Sequence, residues 1–293
     1  MADADIHELR ATARREAAAP PIVMADLPTG TYERVRLPDG APVPEVWLYR
    51  PESGPEPPGV FVSLHGGGFV LGDPSVDDRY CRYLANRTGC AVVNLDYLLA
   101  PEHPFPAAVE QVYAVLDWLA TRGADGVDGS RLAVGGHSAG GNLSAAACLL
   151  ARERGGPALR GQVIDYAPLD LLTPPSRKTA PGLPDDDARL EAQVGARFNA
   201  WYLRTPDDAA NPIASPVLAD DLTGLPPALV VTAELDTLRA EGDRYAERLV
   251  AAGVPTEHAV FAGCRHGFTH AGPEAQAVEA WERMAAFVRR VLA

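Results

Sequence analysis

Short apolar runs alternate with helical segments along most of this chain, and that alternation limits the architecture more than any other feature. Residues 46–49, 60–64, 91–95, 132–134, 163–166, 229–232 and 258–261 read as strands. Residues 75–87, 107–121, 142–154, 238–252 and 273–292 read as helices. Strands that take turns with helices imply a mostly parallel sheet covered on both faces. With 293 residues, 47% of them hydrophobic, the chain is long enough for one large α/β unit with an added cap. Two stretches break the alternation. Residues 1–45 hold a helix expected at about 5–18 followed by Pro20-Pro21, and residues 171–212 are rich in Pro and Asp, with an aromatic helix near Phe198. Both are assigned to a cap, with an exposed loop and a frayed terminus as the alternative, which leaves 46–170 and 213–293 as the core.

One of the strand-to-helix junctions carries chemistry. Leu132-Ala133-Val134 runs into Gly136-His137-Ser138-Ala139-Gly140, with Gly141 beyond, and the helix that follows is stopped by Gly155-Gly156-Pro157. A G-x-S-x-G turn in that setting holds its serine in a strained conformation at the tip of a strand, and the glycines let strand and helix pass closely. Ser138 is therefore the candidate nucleophile.

A serine hydroxyl needs a base to take its proton, and the base needs an acid to hold its tautomer and stabilise its charged form. For a serine on such an elbow, acid and histidine follow in that order on loops after the last strands. Asp236 lies beyond strand 229–232 and His266 beyond strand 258–261. Glu234 and Asp170 compete for the acid role, and Asp236 is favoured by its position past the strand. Among the other histidines, His7 and His258 read as surface or packing residues and His103 as part of a Pro-rich turn. His137 should point away from Ser138. His266 and His270 have the i,i+4 spacing of a zinc pair, but Gly267 weakens a helix there and no third ligand accompanies them, so no metal is expected.

The remaining requirement is a set of preorganised N–H donors for a developing oxyanion. His65-Gly66-Gly67-Gly68-Phe69, directly after strand 60–64, is the natural source. A phosphate cradle is the rival reading of such a loop, but no Gly-Lys-Ser/Thr ending follows. Phe69, Phe198, Trp201 and Tyr202 are candidates to line an apolar substrate site, and core packing is the alternative for the same residues.

Taken together, His65 to Gly68, the stretch Asp96 to Pro106, the elbow Gly136 to Gly141, the run Glu234 to Arg239 and His266-Gly267-Phe268 resemble the hormone-sensitive-lipase-like esterases of the α/β-hydrolase superfamily. The resemblance spans about residues 46–270. It implies an α/β-hydrolase fold with a helical cap, Ser138 as nucleophile, Asp236 as acid, His266 as base, and the N–H groups of Gly67, Gly68 and Ala139 as oxyanion hole. It also implies a cap made from the N-terminus and residues 171–212. The chain departs from the pattern where the family often has Asp for His137, Arg for Leu98, an acid for Gln111 and Pro for Thr237. None of these touches the triad.

The expected reaction is cofactor-free hydrolysis of short-acyl carboxylic esters through an acyl-enzyme. Deacylation of an amide-bearing metabolite, and a hydrolase-fold binder or lyase, are the alternatives. A formal net charge of −13 disfavours nucleic acid and anionic membranes as partners, so a small molecule is the expected one. Cys81, Cys90, Cys148 and Cys264 lack paired spacing and suit reduced thiols. The acidic first residues do not read as a signal peptide and no stretch approaches a membrane span, so the expected compartment is the cytoplasm. Helix 273–292 is amphipathic enough either to cover the sheet or to form a homodimer with a second copy.

Overall fold

The computed structural model describes residues 6, 8–11, 32–37, 40–43 and 45–293. Its described strands are β1 (Tyr32–Arg36), β2 (Glu45–Tyr49), β3 (Gly59–Leu64), β4 (Ala91–Leu95), β5 (Asp128–His137), β6 (Gly161–Asp165), β7 (Ala228–Leu235) and β8 (Thr256–Arg265). They form one sheet in the order β1-β2-β4-β3-β5-β6-β7-β8. β2 is antiparallel to both its neighbours, and every pair from β4 through β8 is parallel. β3 and β4 are buried along their whole length, as expected of apolar runs covered on both faces. Each buried Val or Leu there contributes about 1.5–3 kcal/mol.

The helices are α1 (Asp78–Thr88), α2 (Ala107–Thr121), α3 (Ala139–Arg154), α4 (Asp185–Tyr202), α5 (Arg239–Ala251), α6 (Phe268–Ala271) and α7 (Glu274–Val291). α2, α3 and α5 bury Val109, Leu143 and Tyr245 in one core. α1 and α7 bury Leu84, Trp281, Met284 and Phe287 in a second core on the other side of the sheet. The apolar face of α7 is thus used by its own sheet. Among the described residues no helix is long and apolar enough to cross a membrane.

Two features differ from the sequence reading, and a third lies mostly outside the described residues. Residues 32–36, expected within the N-terminal cap segment, instead form the edge strand β1, paired to β2 from Tyr32↔Tyr49 to Arg36↔Glu45. Three of its five residues are charged, a usual protection of a sheet edge that erases the apolar alternation by which strands are recognised. α3 begins at Ala139 rather than 142, because Gly140 and Gly141, poor helix formers by propensity, are held in the helix by packing. A β-carbon on Gly140 would fall 1.9 Å from the Leu64 carbonyl oxygen, so only glycine lets α3 pass β3 so closely. Of the helix expected at 5–18, Ile6 and residues 8–11 are helical and the remainder lies outside the described residues.

Registers Leu64↔Leu95 and Leu64↔Gly136 bring the carboxyl ends of β3, β4 and β5 level. Ligand sites in parallel sheets form at that end. Residues 171–212 cross above it through α4. A pair between Lys178 and Glu241, 2.8 Å apart with both side chains under 10% exposed, ties this insertion to α5.

Candidate active site

The turn from β5 into α3 places Ser138 at φ 51, ψ −117, a positive φ that a residue with a β-carbon rarely adopts. Its amide donates to the Asp165 carbonyl at 2.8 Å and its carbonyl accepts the Asn142 amide at 3.1 Å, which anchors the strained residue to β6 and α3. Ser138 Oγ lies 2.9 Å from His266 Nε2. His266 Nδ1 lies 2.8 Å from Asp236 Oδ2. Asp236 is buried, and its other oxygen accepts the Leu238 amide at 2.9 Å. The two rival carboxylates are engaged elsewhere. Glu234 accepts the Gly263 amide at 2.7 Å, while Asp170 accepts from Leu172, Thr173 and Arg244.

Hydroxyl, imidazole and carboxylate therefore stand in a line suited to proton transfer. An Nδ1–H donated to Asp236 leaves the Nε2 lone pair facing the serine. Burial pulls the His266 pKa down, but the Asp236 carboxylate outweighs it, aided by Glu191 and Asp165, and the net shift is upward from 6.5. A third of the side chain is open to the cavity, which limits the burial penalty and favours that direction. A base must be unprotonated to work, so a raised pKa moves loss of activity to higher pH. The expected kcat/KM profile falls on the acid side with a midpoint above 6.5. A midpoint at or below 6.5 contradicts this electrostatic assignment.

The glycine loop lies against the elbow, with the β-carbon position of Gly66 3.6 Å from Ser138 Cβ. Among the described residues, the amides of Gly67 and Gly68 donate to no backbone acceptor. Ala139 is the first residue of α3, where amides lack an intrahelical acceptor. Gly68 has φ 60, and a β-carbon there would come within 2.0 Å of the Phe198 ring, so both backbone and space require glycine.

These groups open into a cavity of about 880 Å³. Phe69 and Phe198 line it, as do Glu191, Val194 and Gly195 of α4. Trp201 and Tyr202 do not. Tyr202 is fully buried at the end of α4 and stacks on Phe69 with ring centres 3.8 Å apart, while Trp201 carries the Arg197 guanidinium on its face. Both residues belong to packing, the alternative already carried by their helical spacing.

Several residues at the site had no sequence signal. Glu191 of α4 accepts from the Thr237 hydroxyl at 2.7 Å, linking the insertion to the loop that holds Asp236. Arg10 lines the cavity and pairs with Glu102 at 2.6 Å, joining an N-terminal residue to the rim. Gln111 accepts the Leu98 amide at 2.8 Å, so the two family departures at 98 and 111 meet in a neutral hydrogen bond.

A family model for the alpha/beta hydrolase fold matches residues 61–270. Carboxylic ester hydrolase LipN of Mycobacterium tuberculosis is 41% identical over 227 residues, covering 75% of this chain and 59% of its own length. The chain thus spans less than two thirds of that relative. Esterase LipI of the same organism is 40% identical over 239 residues, 80% of this chain and 73% of its own. The solved structure of a Pyrobaculum calidifontis esterase superposes with a TM-score of 0.85 at 36% identity, covering 97% of this chain and 92% of that one. This chain belongs to the α/β-hydrolase fold family, in its hormone-sensitive-lipase-like esterase branch.

Proposed function

We propose that the protein is a serine carboxylesterase that cleaves esters of short acyl chains through an acyl-enzyme. The observation that carries this reading is the continuous line from Ser138 Oγ through His266 to Asp236, with links of 2.9 and 2.8 Å. Ser138 attacks the ester carbonyl as His266 Nε2 takes its proton. The amides of Gly67, Gly68 and Ala139 hold the oxyanion. His266 then returns the proton to the leaving alcohol, and a water, activated by the same imidazole, releases the acid. Asp236 keeps the ring oriented and stabilises its charged form throughout. Every role is filled by a group of this chain.

The insertion 171–212 and the N-terminal residues around Arg10 act as the cap over this site. The Phe198 ring, pressed onto Gly68, narrows the space beside the oxyanion amides and favours a small acyl group. The names of the relatives, carboxylic ester hydrolase and esterase, support the ester bond as target. Four free, buried cysteines support a reducing, cytoplasmic setting.

A series of p-nitrophenyl esters from acetate to decanoate, with acetanilides for comparison, tests the substrate class. The expected kcat/KM is highest between acetate and butyrate and at least about tenfold lower at decanoate, the scale on which a pocket discriminates methylenes. A maximum at decanoate, or faster cleavage of the anilide than of the matched ester, contradicts the reading.

A further inference from the structure

Behind the elbow lies a polar cluster that ester cleavage does not use. Asp77 ends the 3-10 turn Pro74–Asp77, His137 is the last residue of β5, and His270 sits in α6. Each offers one ligand-capable atom, and these three atoms lie within 4.8 Å of one another. Asp77 and His137 are buried, while His270 keeps 25% of its side chain exposed. Both histidines are held from the far side of the ring. His137 Nδ1 lies 2.7 Å from the buried Asp165 carboxylate, and His270 Nδ1 lies 3.0 Å from the Tyr166 hydroxyl. Thr269 in turn donates to Asp165 at 2.9 Å.

An imidazole that donates Nδ1–H to a carboxylate presents its Nε2 lone pair, the arrangement by which outer groups orient a metal-binding histidine. His137 Nε2 and Asp77 Oδ2 are buried with no hydrogen-bond partner among the described residues, and they face each other across 4.0 Å. That gap is too long for a direct hydrogen bond. With His137 in that tautomer both facing atoms are acceptors, an arrangement that a cation between them satisfies, and a metal ion competes there with a proton on Nε2. A tetrahedral zinc with bonds of about 2.0–2.1 Å sets its ligands about 3.3 Å apart. The 4.0 Å pair of His137 Nε2 with Asp77 Oδ2 is wider than this, and the 2.8 Å pair of His270 Nε2 with Asp77 Oδ1 is tighter, so the side chains must adjust around a bound ion.

We propose that Asp77, His137 and His270 form a site for one divalent cation of the zinc class, beside the nucleophile and with its fourth position open to the cavity. His137 and His270 both line that cavity, which supplies the open position. Two imidazoles and one carboxylate suit zinc and its neighbours, whereas magnesium and calcium take oxygen ligands. The carboxylates of Asp77 and Asp165 match the two positive charges. On binding, neutral His270 carries its proton on Nδ1, where the Tyr166 hydroxyl oxygen accepts it, so Nε2 is free for the ion and no proton is released from His270. The ion would tie the segment ending at Ser138 to the segment that follows His266. The i,i+4 pair His266 and His270 is thus divided between two sites, one ring facing Ser138 and the other Asp77.

The test is calorimetric titration of zinc chloride into the chelator-stripped full chain, followed by zinc-edge X-ray absorption. Saturable binding of one zinc per chain is expected, with imidazole nitrogen and carboxylate oxygen in the coordination shell. His270→Gln and Asp77→Asn should each weaken binding at least about tenfold. Circular dichroism confirms that each variant is folded; should Asp77→Asn fail, His270→Gln, altered at a partly exposed ring, decides alone. Absence of saturable zinc binding to the wild-type chain, or unchanged affinity in folded His270→Gln, overturns the proposal.

Discussion

Ser138→Ala reduces kcat for p-nitrophenyl acetate by about 10⁶-fold, the scale on which serine triads respond to loss of the nucleophile. The reason is geometric. Oγ is the atom that His266 Nε2 approaches at 2.9 Å, and alanine leaves the imidazole with no hydroxyl to deprotonate. Residual turnover would come from the amides of Gly67, Gly68 and Ala139 acting on bound ester with water as nucleophile. The fold is unaffected, because the links that anchor the elbow to Asp165 and Asn142 are made by backbone atoms of residue 138. Removing one partly exposed hydroxyl should change stability by less than about 1 kcal/mol. A melting curve like the wild type together with abolished turnover is the expected pair. Retention of most of the activity would reject Ser138 as nucleophile.

Asp236→Asn lowers kcat by about 10⁴-fold, since an amide in place of the carboxylate permits the wrong imidazole tautomer. The carboxylate accepts from His266 Nδ1 on one oxygen and from the Leu238 amide on the other. Asparagine can keep one of these contacts, but it supplies no negative charge to an imidazolium. The substitution is nearly isosteric at a buried position, so the fold persists. Glu234→Gln is the informative control. Glu234 stands two residues earlier and bonds the Gly263 amide instead of a ring, so its loss should cost less than about tenfold. Reversal of that order, with Glu234→Gln inactive and Asp236→Asn active, would move the acid to the other carboxylate.

Much of the architecture could be read from the chain because its signals are local. β4 and α2 have the bounds expected from sequence, 91–95 and 107–121, since a continuous apolar run and a helical period each stop at clear turn residues. The elbow was legible for the same reason, its glycines and serine standing next to one another. The order of strands places Asp236 and His266 at the carboxyl end of the sheet, while the choice of Asp236 over Glu234 and Asp170 is strengthened by the family resemblance.

What escaped is non-local or masked by charge. β1 carries its charges outward at a sheet edge and looks like a loop. Trp201 and Tyr202 share the helical spacing of Phe198, and only packing of α4 against Phe69 separates lining from support. The network around His137 joins partners 28 residues away at Asp165, while Asp77 and His270 meet across 193 positions. No spacing rule reaches that far. Glu191 and Thr237 likewise meet across 46 positions, from elements that sequence reading treats separately.

The account stands on one nucleophile, and covalent labelling reads it directly. Diethyl p-nitrophenyl phosphate, a slow substrate analogue that leaves its phosphoryl group on an activated serine, is reacted with the full chain until esterase activity is gone. Peptide mass spectrometry then locates the adduct. One phosphoryl group per chain, on Ser138, with activity lost in proportion, is the predicted result. Full inactivation with Ser138 unlabelled, or undiminished activity in chains labelled there, would contradict it.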